Sequence, residues 1–305
     1  MRYQRTLGSV VVCTGTGLHT GREVSLVLRP ASVDTGVVFI RTDLPEVVAI
    51  RAEMRAVSAS IFATTLEGRG VSIGTVEHLL AAISGLGIDN VIAEVDAPEV
   101  PIMDGSAAPF VSLIRDAGIV KQSQPRIYLA IRETVRIVEG ERWLELRPCE
   151  SLKISYTVEF DHAFVSRQSY QVSLPGRTFQ DEISPARTFG FLRDVAELRS
   201  RGFALGGSLE NAVVVGEFGV LNEGGLRFPD EFVRHKILDL IGDFSLLGYP
   251  LLAHVVAYKS GHAMNHRMLR EVLSNEACRE MVEFPEERFR QIPVCPEERR
   301  ERIVA

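Results

Sequence analysis

Phe232-Val-Arg-His-Lys-Ile-Leu-Asp-Leu-Ile-Gly-Asp-Phe244 is the stretch whose reading decides the rest of the chain. At 3.6 residues per turn, His235, Asp239 and Asp243 fall at i, i+4 and i+8 and share one helix face. Ile237, Leu238, Leu240, Ile241 and Phe244 cover much of the remainder. An imidazole and two carboxylates on a largely apolar helix are costly to bury unless a metal ion or mutual hydrogen bonds pair them. His-x3-Asp on a helix supplies two of the three protein ligands of a catalytic zinc site. The third has to come from elsewhere in the chain. An ordinary surface pair at i, i+4 is the competing reading of this helix taken alone.

A related pattern occurs earlier. Val76-Glu-His-Leu-Leu-Ala-Ala-Ile-Ser-Gly85 aligns with Arg234-His-Lys-Ile-Leu-Asp-Leu-Ile-Gly242 when His78 is set on His235. Each helix runs into glycine and then an apolar strand. Ala63-Thr-Thr-Leu66 likewise resembles Ala186-Arg-Thr-Phe189. The echo predicts two related α+β domains that face each other. Chance similarity between two apolar helices is the alternative.

If the halves face each other, His78 meets His235 and Asp239 across a cleft. Two histidines and a carboxylate with one open position is the donor set of a hydrolytic zinc site. Glu77, beside His78, is placed to take a proton from water. Taken alone, a solvated carboxylate near a helix N-terminus is the commoner case for such a residue. Lys259-Ser-Gly-His262 puts another histidine on a loop after a strand, where catalytic groups are common. His262 is a candidate general acid, and Asp243 would hold it protonated; an exposed loop histidine is the alternative. Thr188 offers a hydroxyl to a developing oxyanion. Lys236 points about 100° off the metal face and suits an anionic group or that same oxyanion; otherwise it is a surface lysine. His254 reads as a core strand residue. His19, His162 and His266 stay undecided.

The 305 residues suggest two domains or one large one. The apolar share of 46% and charged share of 24% are those of a soluble globular protein. A net charge of −6, with no long Lys/Arg run, argues against a nucleic acid as main partner. Cys13, Cys149, Cys278 and Cys295 form no C-x-x-C, so no cysteine zinc module or redox pair is signalled. A reducing cytoplasm is the simpler setting. The N-terminus lacks the apolar core of a signal peptide. Residues 245–258 are uncharged but too short to span a bilayer, so no transmembrane segment is expected.

Strands are predicted at 9–13, 24–28, 37–41 and 90–95, with a Gly-rich loop at 14–21. That loop is not G-x-G-x-x-G and opens no helix, which excludes a dinucleotide site. A helix within 72–86 is given Thr75 as N-cap and Gly85 or Gly87 as its end. A second covers 110–117, closed by Gly118. Residues 121–126 are polar and carry a proline, and are read as the link between domains 1–122 and 127–275. The second half opens with a hairpin around Glu139-Gly140, then an alternating strand with Ile154, Tyr156, Val158 and Phe160 on one face. A short helix at 191–201, strands at 211–215 and 251–258, and a helix at 264–273 follow. Residues 276–305 are read as a tail.

Thr75-Val-Glu-His-Leu79, Gly87-Ile-Asp-Asn90, Pro101-Ile-Met-Asp-Gly-Ser-Ala-Ala-Pro-Phe110, Ala186-Arg-Thr-Phe-Gly190, Gly225-Leu-Arg-Phe228, His235-Lys-x-Leu-Asp239, Ile241-Gly-Asp243 and Lys259-Ser-Gly-His262 together resemble the bacterial UDP-3-O-acyl-N-acetylglucosamine deacetylases. The resemblance runs from about Arg5 to Leu273. It implies two α+β domains, each a sheet layered with helices, with the active site between them. It implies zinc on His78, His235 and Asp239, although iron(II) tolerates similar ligands. It makes Glu77 the base, His262 the acid or fixed cation oriented by Asp243, Thr188 the oxyanion donor and Lys236 a substrate contact. The insert at 191–214 resembles a passage for an acyl chain, although Phe203, Ala204 and Leu205 read equally well as core. Phe160 resembles an aromatic that stacks on uracil, Arg142 sits where a basic residue meets the diphosphate, and Leu18 and Phe189 adjoin the acyl chain or sugar. The implied reaction removes the N-acetyl group of a UDP-linked, 3-O-acylated N-acetylglucosamine, the committed step of lipid A synthesis. No exposed heptad seam is found, so a monomer is expected. A non-catalytic binder of nucleotide sugars, and a purely structural zinc site, are the competing classes. Glu77 and His262 argue against the first, and the absence of a fourth ligand argues against the second.

Overall fold

The structure, a computed structural model, describes residues 3–59, 61–162, 164–174 and 177–283. Period-two patterning builds the first sheet. Val24, Leu26 and Leu28 are buried, while Ser25 and Val27 between them face outward. The sheet runs in the order Val11–Thr16, Glu23–Pro30, Val91–Val95, Val37–Arg41, Val48–Arg51. Only the pairing of Val37–Arg41 with Val91–Val95 is parallel in it. The second sheet centres on Leu251–Tyr258, which pairs antiparallel with Arg142–Pro148 and parallel with Leu152–Glu159 and Ile127–Ile131. Ile154, Tyr156 and Val158 are buried as their alternation predicts. Phe160 lies just past that strand and is half-buried.

Five α-helices lie among the described residues. They are α1 (Glu77–Gly85), α2 (Ala108–Ala117), α3 (Leu192–Ser200), α4 (Glu231–Phe244) and α5 (His262–Ser274). Both α1 and α4 are buried almost all round and lie against each other. Gly242 permits this: a Cβ there would stand 2.1 Å from the carbonyl oxygen of Glu77. Backbone therefore meets backbone where the sheets' inner helices touch, and the mixed α+β architecture places one helix from each half at the centre. Among the described residues, no helix is long and apolar enough to cross a membrane.

Several local expectations change. The Gly-rich segment after residue 13 stays in the strand through Thr16, held by six paired positions to Glu23–Pro30. Thr75 does not cap α1. Its φ is +56°, its hydroxyl donates to Glu99 (2.7 Å), and the helix starts at Glu77. Residues 121–125 are no loose link, because Ile119–Pro125 pairs antiparallel with Tyr3–Leu7. Arg279–Glu283 adds an antiparallel strand to Ile127–Ile131, so the second sheet reaches into what the sequence presents as tail. Residues 284–305 lie outside the described residues. His262 is not on a loop but opens α5, after Gly261.

Candidate active site

The α1–α4 contact brings His78, at the start of α1, opposite His235 and Asp239 on α4. His78 Nε2 lies 3.5 Å and His235 Nε2 3.3 Å from the same oxygen, Asp239 Oδ1. One donor atom from each of the three falls within 4.8 Å of the others, and all three residues are buried. The hydrogen-bond chemistry of His235 tests whether a cation belongs there. Its Nδ1 is 3.1 Å from the carbonyl oxygen of Ala186, which only accepts, so Nδ1 carries the proton. Burial, opposed by Asp239, pushes the His235 pKa down to about 3, so the ring is neutral and Nε2 presents a lone pair. That lone pair faces a carboxylate oxygen. Two acceptors at this distance repel unless a cation sits between them, so the donor set fits a metal ion. His78 Nδ1 is buried without a hydrogen-bond partner among the described residues.

Lys236 departs from the sequence reading. It leaves the helix off the metal face but curls back, and its Nζ donates to Asp239 Oδ2 at 2.7 Å. Burial works against its charge, yet Asp239 raises its pKa above the ordinary lysine value. Burial also opposes the charge of Asp239, but the Lys236 ammonium bonded to it holds that carboxyl well below its usual range. The other oxygen, Oδ1, is left facing the two histidines.

One turn further along α4, Asp243 is fully enclosed. Its Oδ2 accepts from His262 Nδ1 and Asn265 Nδ2, each at 2.8 Å. Its Oδ1 accepts from the Thr64 hydroxyl at 2.6 Å and faces His266 Nε2 at 3.3 Å. Burial lowers the His262 pKa, but Asp243 more than offsets it and lifts the value to about 9. His262 is therefore an imidazolium near neutrality, and its Nε2–H points into the site, 4.0 Å from Glu77 Oε1 and 3.9 Å from Asp239 Oδ2. Glu77 Oε2 accepts from the Thr64 backbone N–H at 3.0 Å. Burial raises the Glu77 pKa, which improves it as a proton acceptor. A donor set that could hold a metal ion, a carboxylate and a protonated imidazole thus converge.

Thr188 lies two residues beyond Ala186, its backbone fixed by Gly105 O (2.7 Å) and Val213 N–H (2.8 Å). The Phe189 ring stands 6.1 Å from the His235 ring and 5.6 Å from Phe160. Phe160, Arg142, Lys236 and Lys259 line one cleft of about 660 Å³. Arg142 there donates to Glu139 and Lys259 to Glu141, so both cations are partly neutralised. Leu18 holds the insert, its carbonyl accepting from Gly206 N–H at 3.1 Å. Within the insert no residue of α3 is buried, and Phe203, Ala204 and Leu205 are half-buried to exposed, which removes the core reading of those three.

The chain matches the model of the UDP-3-O-acyl N-acetylglycosamine deacetylase family over residues 4–274. It is 53% identical over 279 residues to the UDP-3-O-acyl-N-acetylglucosamine deacetylase of Myxococcus xanthus strain DK1622, covering 92% of this chain and 89% of that one. It is 48% identical over 293 residues to the protein of that name from Haemophilus influenzae strain 86-028NP, covering 95% of each. Against that of Shewanella violacea the identity is 47% over 291 residues, 94% of this chain and 95% of the other.

The chain belongs to this deacetylase family. Membership implies a metal ion, and the cluster of His78, His235 and Asp239 is a place for it. Within this deacetylase fold, sequence reasoning missed Thr64, Asn265 and the role of His266. The first could have been found from the echo of Ala63-Thr-Thr-Leu66 with Ala186-Arg-Thr-Phe189, since both segments flank the site. Asn265 and His266 carry the i+3 and i+4 spacing from His262 that places them on one face of α5. Also missed was Glu99, which accepts from the Thr75 hydroxyl and from the backbone of His19 and Thr20. His254 is a buried strand residue as read, bonded to Ser155.

Proposed function

We propose that this chain hydrolyses the N-acetyl group of a UDP-linked, 3-O-acylated N-acetylglucosamine, releasing acetate and the free amine, the committed step of lipid A synthesis. The observation that carries the reading is the convergence of Glu77 and the protonated His262 on the His78–His235–Asp239 set in a chain of this family. His78, His235 and Asp239 would hold a divalent ion, zinc in this reading and iron(II) as the alternative, which would supply Lewis-acid polarisation of the acetamide carbonyl. Glu77, anchored through Oε2, accepts the proton of the attacking water at Oε1. His262 Nε2–H faces the developing negative charge and then gives its proton to the departing nitrogen. Asp243 keeps that imidazole oriented and charged. Thr188 hydrogen-bonds the oxyanion, and Lys236, beside Phe189, holds substrate. The carbon–oxygen bond from water forms first, giving the tetrahedral oxyanion, and the carbon–nitrogen bond breaks as His262 protonates the nitrogen, leaving acetate and the free amine.

Phe160 and Arg142, in the cleft shared with Lys236, are assigned to the uracil and diphosphate. Leu18, Phe189 and the insert at 191–214 are assigned to the sugar and acyl chain. The boundary between domains falls at 121–126 in this reading, and the chain works in the cytoplasm as a monomer. Unpaired Cys13, Cys149 and Cys278 suit that reducing compartment. The test is acetate release from a 3-O-acylated UDP-N-acetylglucosamine by purified protein, with chelator and then added zinc. Release that chelator stops and zinc restores is expected. No release from metal-loaded protein at any acyl length would overturn the reading.

A further inference from the structure

Thr64 is fully buried and immediately precedes the strand Thr65–Gly68. It has two hydrogen-bond donors, and each goes to a different half of the proton-transfer apparatus. The backbone N–H donates to Glu77 Oε2 at 3.0 Å. The hydroxyl donates to Asp243 Oδ1 at 2.6 Å. Its carbonyl accepts from Val76 N–H at 3.4 Å, which ties the same residue to the entry of α1. The hydroxyl proton has one place to go. Near Oγ1 lie Asp243 Oδ1, His262 Nδ1 at 3.4 Å and His266 Nε2 at 3.3 Å. The carboxylate accepts only, and His262 Nδ1 already gives its proton to Asp243 Oδ2. His266 Nε2, facing both Thr64 Oγ1 and Asp243 Oδ1, must itself be the donor. Asp243 then has two donors on each oxygen; three of the four come from α5, and the fourth, the Thr64 hydroxyl, belongs to the residue whose N–H holds Glu77.

We propose that Thr64 is a positioning residue for the deacetylation. It spans Glu77 and the Asp243–His262 pair, and so sets the separation between proton acceptor and proton donor. The proposal deepens the function proposed above and rests on it. A displacement of about 1 Å between such groups costs on the order of a hundredfold in rate.

The experiment compares Thr64→Val and Thr64→Ser with the wild type in metal-loaded, full-length protein. Val keeps the volume and the backbone N–H but has no hydroxyl; Ser keeps the hydroxyl. Wild-type acetate release is measured first, and its absence would sink the functional reading rather than this one. Given an active wild type, Thr64→Val should lower kcat about 30- to 100-fold with KM and metal content held and the melting temperature lowered by a few degrees, and Thr64→Ser should stay within about threefold. The His262 Nδ1–H proton resonance, assigned by its loss in His262→Ala, should move in Thr64→Val and keep its position in Thr64→Ser. Equal kcat for the Val and Ser variants, or a His262 resonance unmoved in Thr64→Val, overturns the proposal. Should Thr64→Val fail to fold, Thr64→Ala replaces it, and equal kcat for Ala and Ser is the overturning result.

Discussion

Asp239 and Asp243 stand one turn apart on α4, yet they head two clusters of opposite character. Around Asp243 every polar atom has a partner, and Thr64, His262, Asn265 and His266 close on its two oxygens. Around Asp239 one oxygen is held by Lys236 while the other faces two imidazole nitrogens. The first cluster is complete as it stands; the second is complete only with a cation added. Burial alone does not distinguish them, since both are almost wholly enclosed. What separates them is whether each acceptor has a hydrogen to accept.

The largest expected effect tests the incomplete cluster. Asp239→Ala or His78→Ala should abolish acetate release and leave the protein without bound metal by elemental analysis. Retained metal in either variant would show that the donor set lies elsewhere. Glu77→Ala comes next, with turnover lower by about a thousandfold at unchanged metal content; near-normal turnover would remove it from the role of base. Asp243→Asn, on the same helix face as Asp239, should lose roughly a hundredfold in turnover yet keep its metal. Metal loss there would erase the contrast between the clusters.

The closed cluster also predicts a pH dependence for the metal-free protein. The folded pKa of His262 is raised to about 9, so its stabilisation is complete below its ordinary value near 6.5 and is lost as pH rises through about 9. Asp243 is lowered, so its share is present above its ordinary value near 3.8 and is lost as pH falls. The melting temperature should therefore fall between pH 6.5 and 9.5 in the wild type and stay flatter in Asp243→Asn. An equal slope in both would mean that the pair carries no linkage. Smallest is Arg142→Ala, for which KM should rise a few-fold at constant kcat, because Glu139 already shares that cation. A change in kcat alone would move Arg142 away from substrate binding.

The residues of the candidate metal site stand out in the sequence because histidine and carboxylate on an apolar helix are conspicuous by their cost. The closed cluster was legible only at its ends, His262 and Asp243. Thr64 and Asn265 are ordinary residue types whose meaning comes from position, and nothing in local composition marks them. The N-cap assignment to Thr75 failed because capping propensity ignores tertiary partners. Its hydroxyl is taken by Glu99, and its left-handed backbone turns the chain into α1. The polar segment at 121–125 looked like a linker because a two-stranded edge pairing leaves no apolar alternation, and its partner, Tyr3–Leu7, lies at the other end of the half. The sheet cores, whose pattern is local, came through with few changes.

His78 and His235 belong to distant parts of the chain, and the described cysteines form no disulfide. An ion held between them would therefore act as a cross-link. It closes a loop of more than a hundred residues, a constraint worth about 5 kcal/mol by the chain-entropy argument for bridges. Folding and metal supply would then be linked, and a cell short of the ion would hold a less stable protein as well as an idle one.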